Sequence, residues 1–120
     1  MAARFWVGGT ATWDSTAGTK WATTSGGAGG AAVPGSSDDV TFDANSGTGT
    51  VTTNINSTIL SLTIGAFGGT LDFATNNNTL SVGTFSATGT ATRTLSIGTG
   101  TWTITGTGAS AWLITDASNM

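Results

Sequence analysis

Thr79-Leu80-Ser81-Val82-Gly83 returns as Thr94-Leu95-Ser96-Ile97-Gly98, and a looser copy, Ser61-Leu62-Thr63-Ile64-Gly65, precedes both. Each copy alternates a small polar residue with a branched apolar one and stops on glycine. That pattern is a short β-strand with one buried face and a turn at its end. A phrase repeated on this scale suggests a chain that stacks coil upon coil, as solenoids do.

Working outward from the repeats, strands arrive every ~10 residues, separated by turns of Gly and Asn. Val40-Thr41-Phe42, Thr50 to Ile55 and Thr58 to Ile64 read as the earlier strands, with a turn from Ala44 to Gly49. The period-two alternation puts Leu62, Ile64, Leu71, Phe73, Leu80, Val82, Leu95, Ile97, Trp102 and Ile104 on the inward face, and Trp112 with Ile114 closes the series. No stretch carries a 3.6-residue apolar period, so almost no helix is expected. Two all-β architectures fit. One is a short parallel β-solenoid (a β-helix) with Gly65, Gly83 and Gly98 stacked at equivalent corners. The other is an antiparallel β-sandwich or jelly roll. The recurring phrase favours the solenoid, because a sandwich needs no similarity between consecutive strands; the unequal intervals between copies count against it.

Residues 1–43 read as a Trp-rich N-terminal cap or docking region, and residues 44–120 as the β-repeat region, the two making one compact unit. Trp6, Trp13 and Trp21 are spaced too irregularly for one strand face, so at least one of them is expected to lie elsewhere. They either cap the open end of the solenoid core or offer flat aromatic faces to a sugar or a protein partner. Residues 25–38, rich in Gly, Ala and Ser, read as a flexible loop or linker that ends near the only proline, Pro34.

Composition narrows the function more than it names it. The 120 residues include no His, Cys, Tyr or Glu, only three basic side chains (Arg4, Lys20 and Arg93) and a net charge of −3. Three cations cannot supply the phosphate contacts that nucleic-acid binding requires. No apolar run reaches membrane-spanning length. The opening Met1 to Trp6 lacks the apolar core of a secretory signal. Without Cys there is neither a disulfide framework nor a thiolate metal site. The scarcity of bulky apolar residues implies a thin core in a short chain, which calls for burial against partner subunits.

Catalysis has little to work with. General acid–base chemistry would fall to Asp, Lys20 or a serine, and nothing in the spacing of the six Asp residues singles out a pair. The reading is therefore of a non-enzyme without cofactor or metal. Asp38, Asp39 and Asp43 either bind Ca²⁺ or, as is commoner beside a Gly-Pro loop, form turns; they lack the spacing of an EF-hand. Asn76-Asn77-Asn78 either builds an asparagine ladder in a solenoid turn or binds a polar ligand, with at least one residue in the left-handed conformation. Asn56-Ser57-Thr58 fits a glycosylation sequon, a tripeptide common by chance.

Phe5-Trp6-Val7-Gly8-Gly9-Thr10-Ala11-Thr12-Trp13-Asp14, then Lys20-Trp21 and Ser25 to Gly30, resembles an opening of phage virion structural proteins. Val33-Pro34-Gly35-Ser36-Ser37-Asp38-Asp39-Val40-Thr41-Phe42-Asp43 continues the resemblance. Similar tryptophan openings begin the β-helices of autotransporter-like adhesins. The likeness covers residues 4–55 by motif and the remainder only by repeat style. It implies a non-catalytic structural part of a bacteriophage virion, such as a capsid decoration protein, head fibre or tail fibre, assembled in the host cytoplasm. Its partners would be other virion proteins. Because a short column with two open ends and little core needs burial from neighbours, further copies of the chain are also expected, in a trimer, with the large aromatics Trp6, Trp13 and Trp21 at the subunit or docking contact. The alternative the resemblance implies is a secreted bacterial adhesin or carbohydrate-binding β-helix module.

Overall fold

Parallel strand pairing dominates the computed structural model, which describes residues 2–114. The strands are β1 Ala2–Trp6, β2 Ala11–Trp13, β3 Trp21–Ala22, β4 Asp38–Phe42, β5 Thr50–Thr53, β6 Ser57–Ile64, β7 Thr70–Asp72, β8 Leu80–Ala87, β9 Thr94–Ser96, β10 Trp102–Ile104 and β11 Trp112–Ile114. The chain alternates between two sheets. One runs β10-β8-β6-β4-β1-β3, with β11 also on β8; the other runs β2-β5-β7-β9. Every pair is parallel except β1 with β3. The result is an all-β parallel solenoid of about three turns. A single 3-10 turn, Ala44–Ser46, is the helical content of the described residues.

The core is a set of stacks. Val40, Leu62 and Phe85 lie in register, as do Phe42, Ile64 and Ala87, and in the second sheet Val51, Leu71 and Leu95. Alternation along each strand turns these positions inward and the intervening Thr, Ser and Asp outward. Of the ten residues read as inward, Leu62, Ile64, Leu71, Phe73, Leu80 and Val82 are buried, and Leu95, Trp102 and Ile104 are half-buried against them. Ile97 lies past the end of β9 and is half-buried.

The repeated phrase marks strands but not register. Leu62 pairs with Phe85, whereas Leu80 pairs with Ser57 of β6 and Leu95 with Leu71 of the other sheet. The glycines are accordingly not stacked. Gly65 follows β6, Gly98 turns the chain after β9 with φ +74°, and Gly83 lies inside β8. A Cβ at Gly83 would stand 2.5 Å from the Leu60 carbonyl oxygen, so glycine is needed there for close approach between strands. The true coil length shows in polar contacts between consecutive coils: Ser61 donates to Asp39, 22 residues earlier, and Thr105 to the Val82 carbonyl, 23 earlier.

At one corner the asparagines tie the coils together. Asn78 Nδ2 donates to Asn56 Oδ1 at 3.3 Å, and the Thr79 N–H donates to the same oxygen at 2.9 Å. Asn77, with φ +51°, accepts from the Thr99 N–H of the next coil at 2.9 Å. Buried Thr53 donates to Asn78 Oδ1 at 3.0 Å, and Asn76 donates to the Thr53 carbonyl at 2.8 Å. Asn78 and Asn56 form one rung of the ladder that was one of the two alternatives, and Asn77 is the left-handed residue expected among the three. Such contacts satisfy backbone groups that a turning chain would otherwise leave unpaired.

Candidate functional site

The Trp-rich opening closes one end of the solenoid. Trp6 ends β1, Trp13 ends β2 and Trp21 begins β3, so the three indoles reach one point from three strands. No two of them share a strand, as their irregular spacing implies, yet they converge across the sheets. All three are 0 % exposed. Trp21 meets Trp6 edge-on at 5.0 Å and Trp13 edge-on at 5.2 Å, and Phe42 stacks on Trp6 at 5.9 Å. Edge-to-face contact aligns the positive ring edge with the negative ring face. In this chain the flat faces are spent on one another, so contact with a partner through the indoles themselves requires the cap to open.

The surrounding motif residues explain themselves as parts of this cap. A Cβ at Gly8 would lie 3.0 Å from the Trp6 ring and 3.2 Å from Lys20, so a larger residue there would press on both. Trp6 Nε1 donates to the Gly9 carbonyl at 3.0 Å. The corresponding atoms of Trp13 and Trp21 are buried with no acceptor among the described residues, a cost of about 1–3 kcal/mol each that ring packing must offset. Lys20 Nζ donates to the Thr12 carbonyl and to Asp14 Oδ1, at 2.5 and 2.9 Å. The Lys20 hydrogen bond, helped by the Thr16 N–H, lowers the Asp14 pKa below the usual carboxylate value.

Residues 25–38 do not behave as a free linker. The Ala31 N–H donates to the Trp21 carbonyl at 3.0 Å, and Ala31 and Val33 pack against the core. A Cβ at Gly29 would fall 2.1 Å from the Thr19 carbonyl oxygen, which shows how closely this loop lies on the chain beneath it. The Gly-rich composition thus serves close approach here rather than flexibility.

The acidic residues hold turns and coils. Asp38 Oδ2 accepts from the Gly35 N–H at 2.8 Å, closing the turn after Pro34. Asp39 accepts from Ser61 of the next coil at 2.5 Å. Asp43 caps the 3-10 turn reciprocally with Ser46 and also accepts from Ser25 at 2.6 Å. Among the described residues, no three of His, Cys, Asp or Glu converge on a point, and no pocket opens on the surface.

Asp72 sits at the end of β7, where burial tends to raise its pKa. Hydrogen bonds from the Thr75 hydroxyl and from the Thr75 and Ala74 N–H groups outweigh this and lower it. A carboxylate whose pKa is depressed by folding stabilises the fold above its unfolded value of about 3.9, and that contribution disappears as pH falls through the folded value. Stability is therefore expected to fall on acidification below about pH 4, and less so in Asp72→Asn. Urea unfolding of both proteins across that range checks it.

The outer faces carry ranks of hydroxyls. In the second sheet Thr50, Thr70 and Thr94 lie in one row, and Thr12, Thr52, Asp72 and Ser96 in the next. In the larger sheet Thr41, Thr63 and Ser86 align. Sequence reading missed these rows, because they depend on which strands pair. Comparison with protein-family models, with curated proteins and with solved structures found no match for the chain.

Proposed function

We propose that the chain is a non-catalytic structural component of a bacteriophage virion, a capsid decoration or fibre part that acts through assembly with other virion proteins and with its own copies. The observation that supports this reading is the sealed end. The motif that resembles virion proteins, Trp6 to Trp21 with Gly8, Gly29 and Lys20, forms a solid plug on a parallel solenoid. Such a plug suits a short solenoid that begins at a fixed point in a particle. Low charge also fits close packing, because few ions must be desolvated.

Gold-labelled antibody to the chain, imaged on purified particles, tests the proposal. The expected result is regular label at one class of site, with the chain present in the particle's protein profile in multiple copies per particle. Particles that lack the chain and do not bind it when it is added would refute the reading. The rows of Thr and Ser hydroxyls favour the second reading, a carbohydrate-binding module of an adhesin, because hydroxyls in regular rows match the donors and acceptors of a glycan. Saturable binding to a polysaccharide, lost in Thr52→Val with Thr70→Val, would shift the balance to it.

A further inference from the structure

The two ends of the solenoid are built differently. At the N-terminal end each edge strand carries a guard. Antiparallel β3 covers β1, and the Gly-rich loop covers β3 through the Ala31–Trp21 hydrogen bond. Lys20 occupies the Thr12 carbonyl of edge strand β2. At the C-terminal end β9, β10 and β11 are the last strands of their sheets. In β10, the Leu80 N–H donates to the Thr101 carbonyl and the Thr105 N–H to the Val82 carbonyl. Those groups face β8, so the N–H and C=O of Trp102 and Ile104 face the open edge. From Thr94 to Ile114 there is no charged residue and no proline. Charges and prolines are the usual guards of an exposed edge strand. Trp112 and Leu113, 46 % and 38 % exposed, are the exposed large apolar side chains of the described residues, and both lie on this end.

We infer that this C-terminal end pairs with the same end of a second copy, β10 or β11 running antiparallel to its symmetry mate about a two-fold axis. β3, the Gly-rich loop and Lys20 interrupt the N-terminal edges, which disfavours head-to-tail stacking of copies. That leaves the symmetric contact, and a two-fold axis between identical strands requires antiparallel pairing. Among the described residues this patch carries no charge, so it meets its own copy without like-charge repulsion there. The molecule measures 34 × 27 × 27 Å, so even its smallest cross-section sets the scale of the end face. It offers about 600 Å² per copy, the lower limit for a stable interface, so backbone pairing has to add to side-chain burial. The inference stands on the edge alone and is independent of the particle in which the chain works. It calls for a dimer where the sequence suggested a trimer.

Sedimentation of the full chain over a concentration series tests it, with Thr103→Lys plus Leu113→Lys on the open edge and Thr63→Lys on central strand β6 as control. The expected result is a monomer–dimer equilibrium whose dissociation constant rises at least about tenfold, or 1.4 kcal/mol, in the edge variant. The control should leave it unchanged. Trp fluorescence should shift to the blue on dimerisation of the unaltered chain, as Trp112 leaves water. A monomer at every concentration, a trimer or open fibre, or a dimer indifferent to both edge lysines would overturn the inference. So would a full chain that stays monomeric while one ending at Thr115 dimerises, since the last residues would then cover the edge. Failure of this contact says nothing about particle labelling, so the two proposals fall separately.

Discussion

Trp13→Ala is expected to lower the unfolding free energy by about 3–5 kcal/mol, the range for truncating a buried large aromatic residue. The effect should sit at the top of that range because of where the ring lies. Trp13 touches Trp21 and Phe42 in the cap and Phe73 in the coil beyond, with centroids 5.2, 6.1 and 6.1 Å away. From there the ring contacts continue through Phe73 to Trp102, Phe85 and Trp112. Removing Trp13 thus separates the plug from the aromatic spine of the core. For a small domain stable by about 5–15 kcal/mol, that is a large share. Trp13→Phe should recover part of the loss, since the indole N–H has no acceptor among the described residues to lose. Trp112→Ala, at an exposed ring, should cost far less. Urea unfolding followed by circular dichroism measures all three; a loss below about 1 kcal/mol for Trp13→Ala would remove the cap from the account of stability.

Arg93→Ala is expected to cost about 2–4 kcal/mol, from the cavity left and from carbonyls deprived of a donor. Arg93 is 1 % exposed. Its Nη2 donates to the Thr88 carbonyl at 2.7 Å and to the Gly65 carbonyl, 28 residues earlier, at 3.2 Å. It therefore joins two successive coils at the turn between β8 and β9. Arg93→Lys should recover less than half of the loss, because a compact ammonium on a shorter stem does not reproduce the broad guanidinium fork. Equal stability of Arg93→Lys and the unaltered chain would show that the charge, and not the fork, is what the site needs.

Several of these features were legible in the sequence for simple physical reasons. Alternation at Leu62-Thr63-Ile64 marks a half-buried strand, and the same period along the chain yields an all-β fold, although just before it Ile59 and not Leu60 faces the core. At least one of Asn76, Asn77 and Asn78 was expected to be left-handed because a short polar side chain tolerates that conformation, and Asn77 is the one. The cap, too, was named as one of two roles for the tryptophans. The Thr and Ser rows and the buried position of Arg93 were not legible. Neither leaves a local signal, since Arg93 sits in a run, Thr92-Arg93-Thr94, that reads as surface.

What the sequence alone determined was the strand periodicity, the want of charge and the places where glycine and asparagine break the chain. These follow from side-chain size and backbone sterics, which act within a few residues. Only the tertiary structure decided register: that Leu62 lies beside Phe85 and not Leu80, and that three distant tryptophans meet. Register depends on how far each loop carries the chain before the next strand, and loops of unequal length can follow identical phrases. The same dependence decided that β3, Lys20 and a glycine-rich loop lie over the strands at one end of the solenoid, while β9, β10 and β11 are, among the described residues, the last strands at the other.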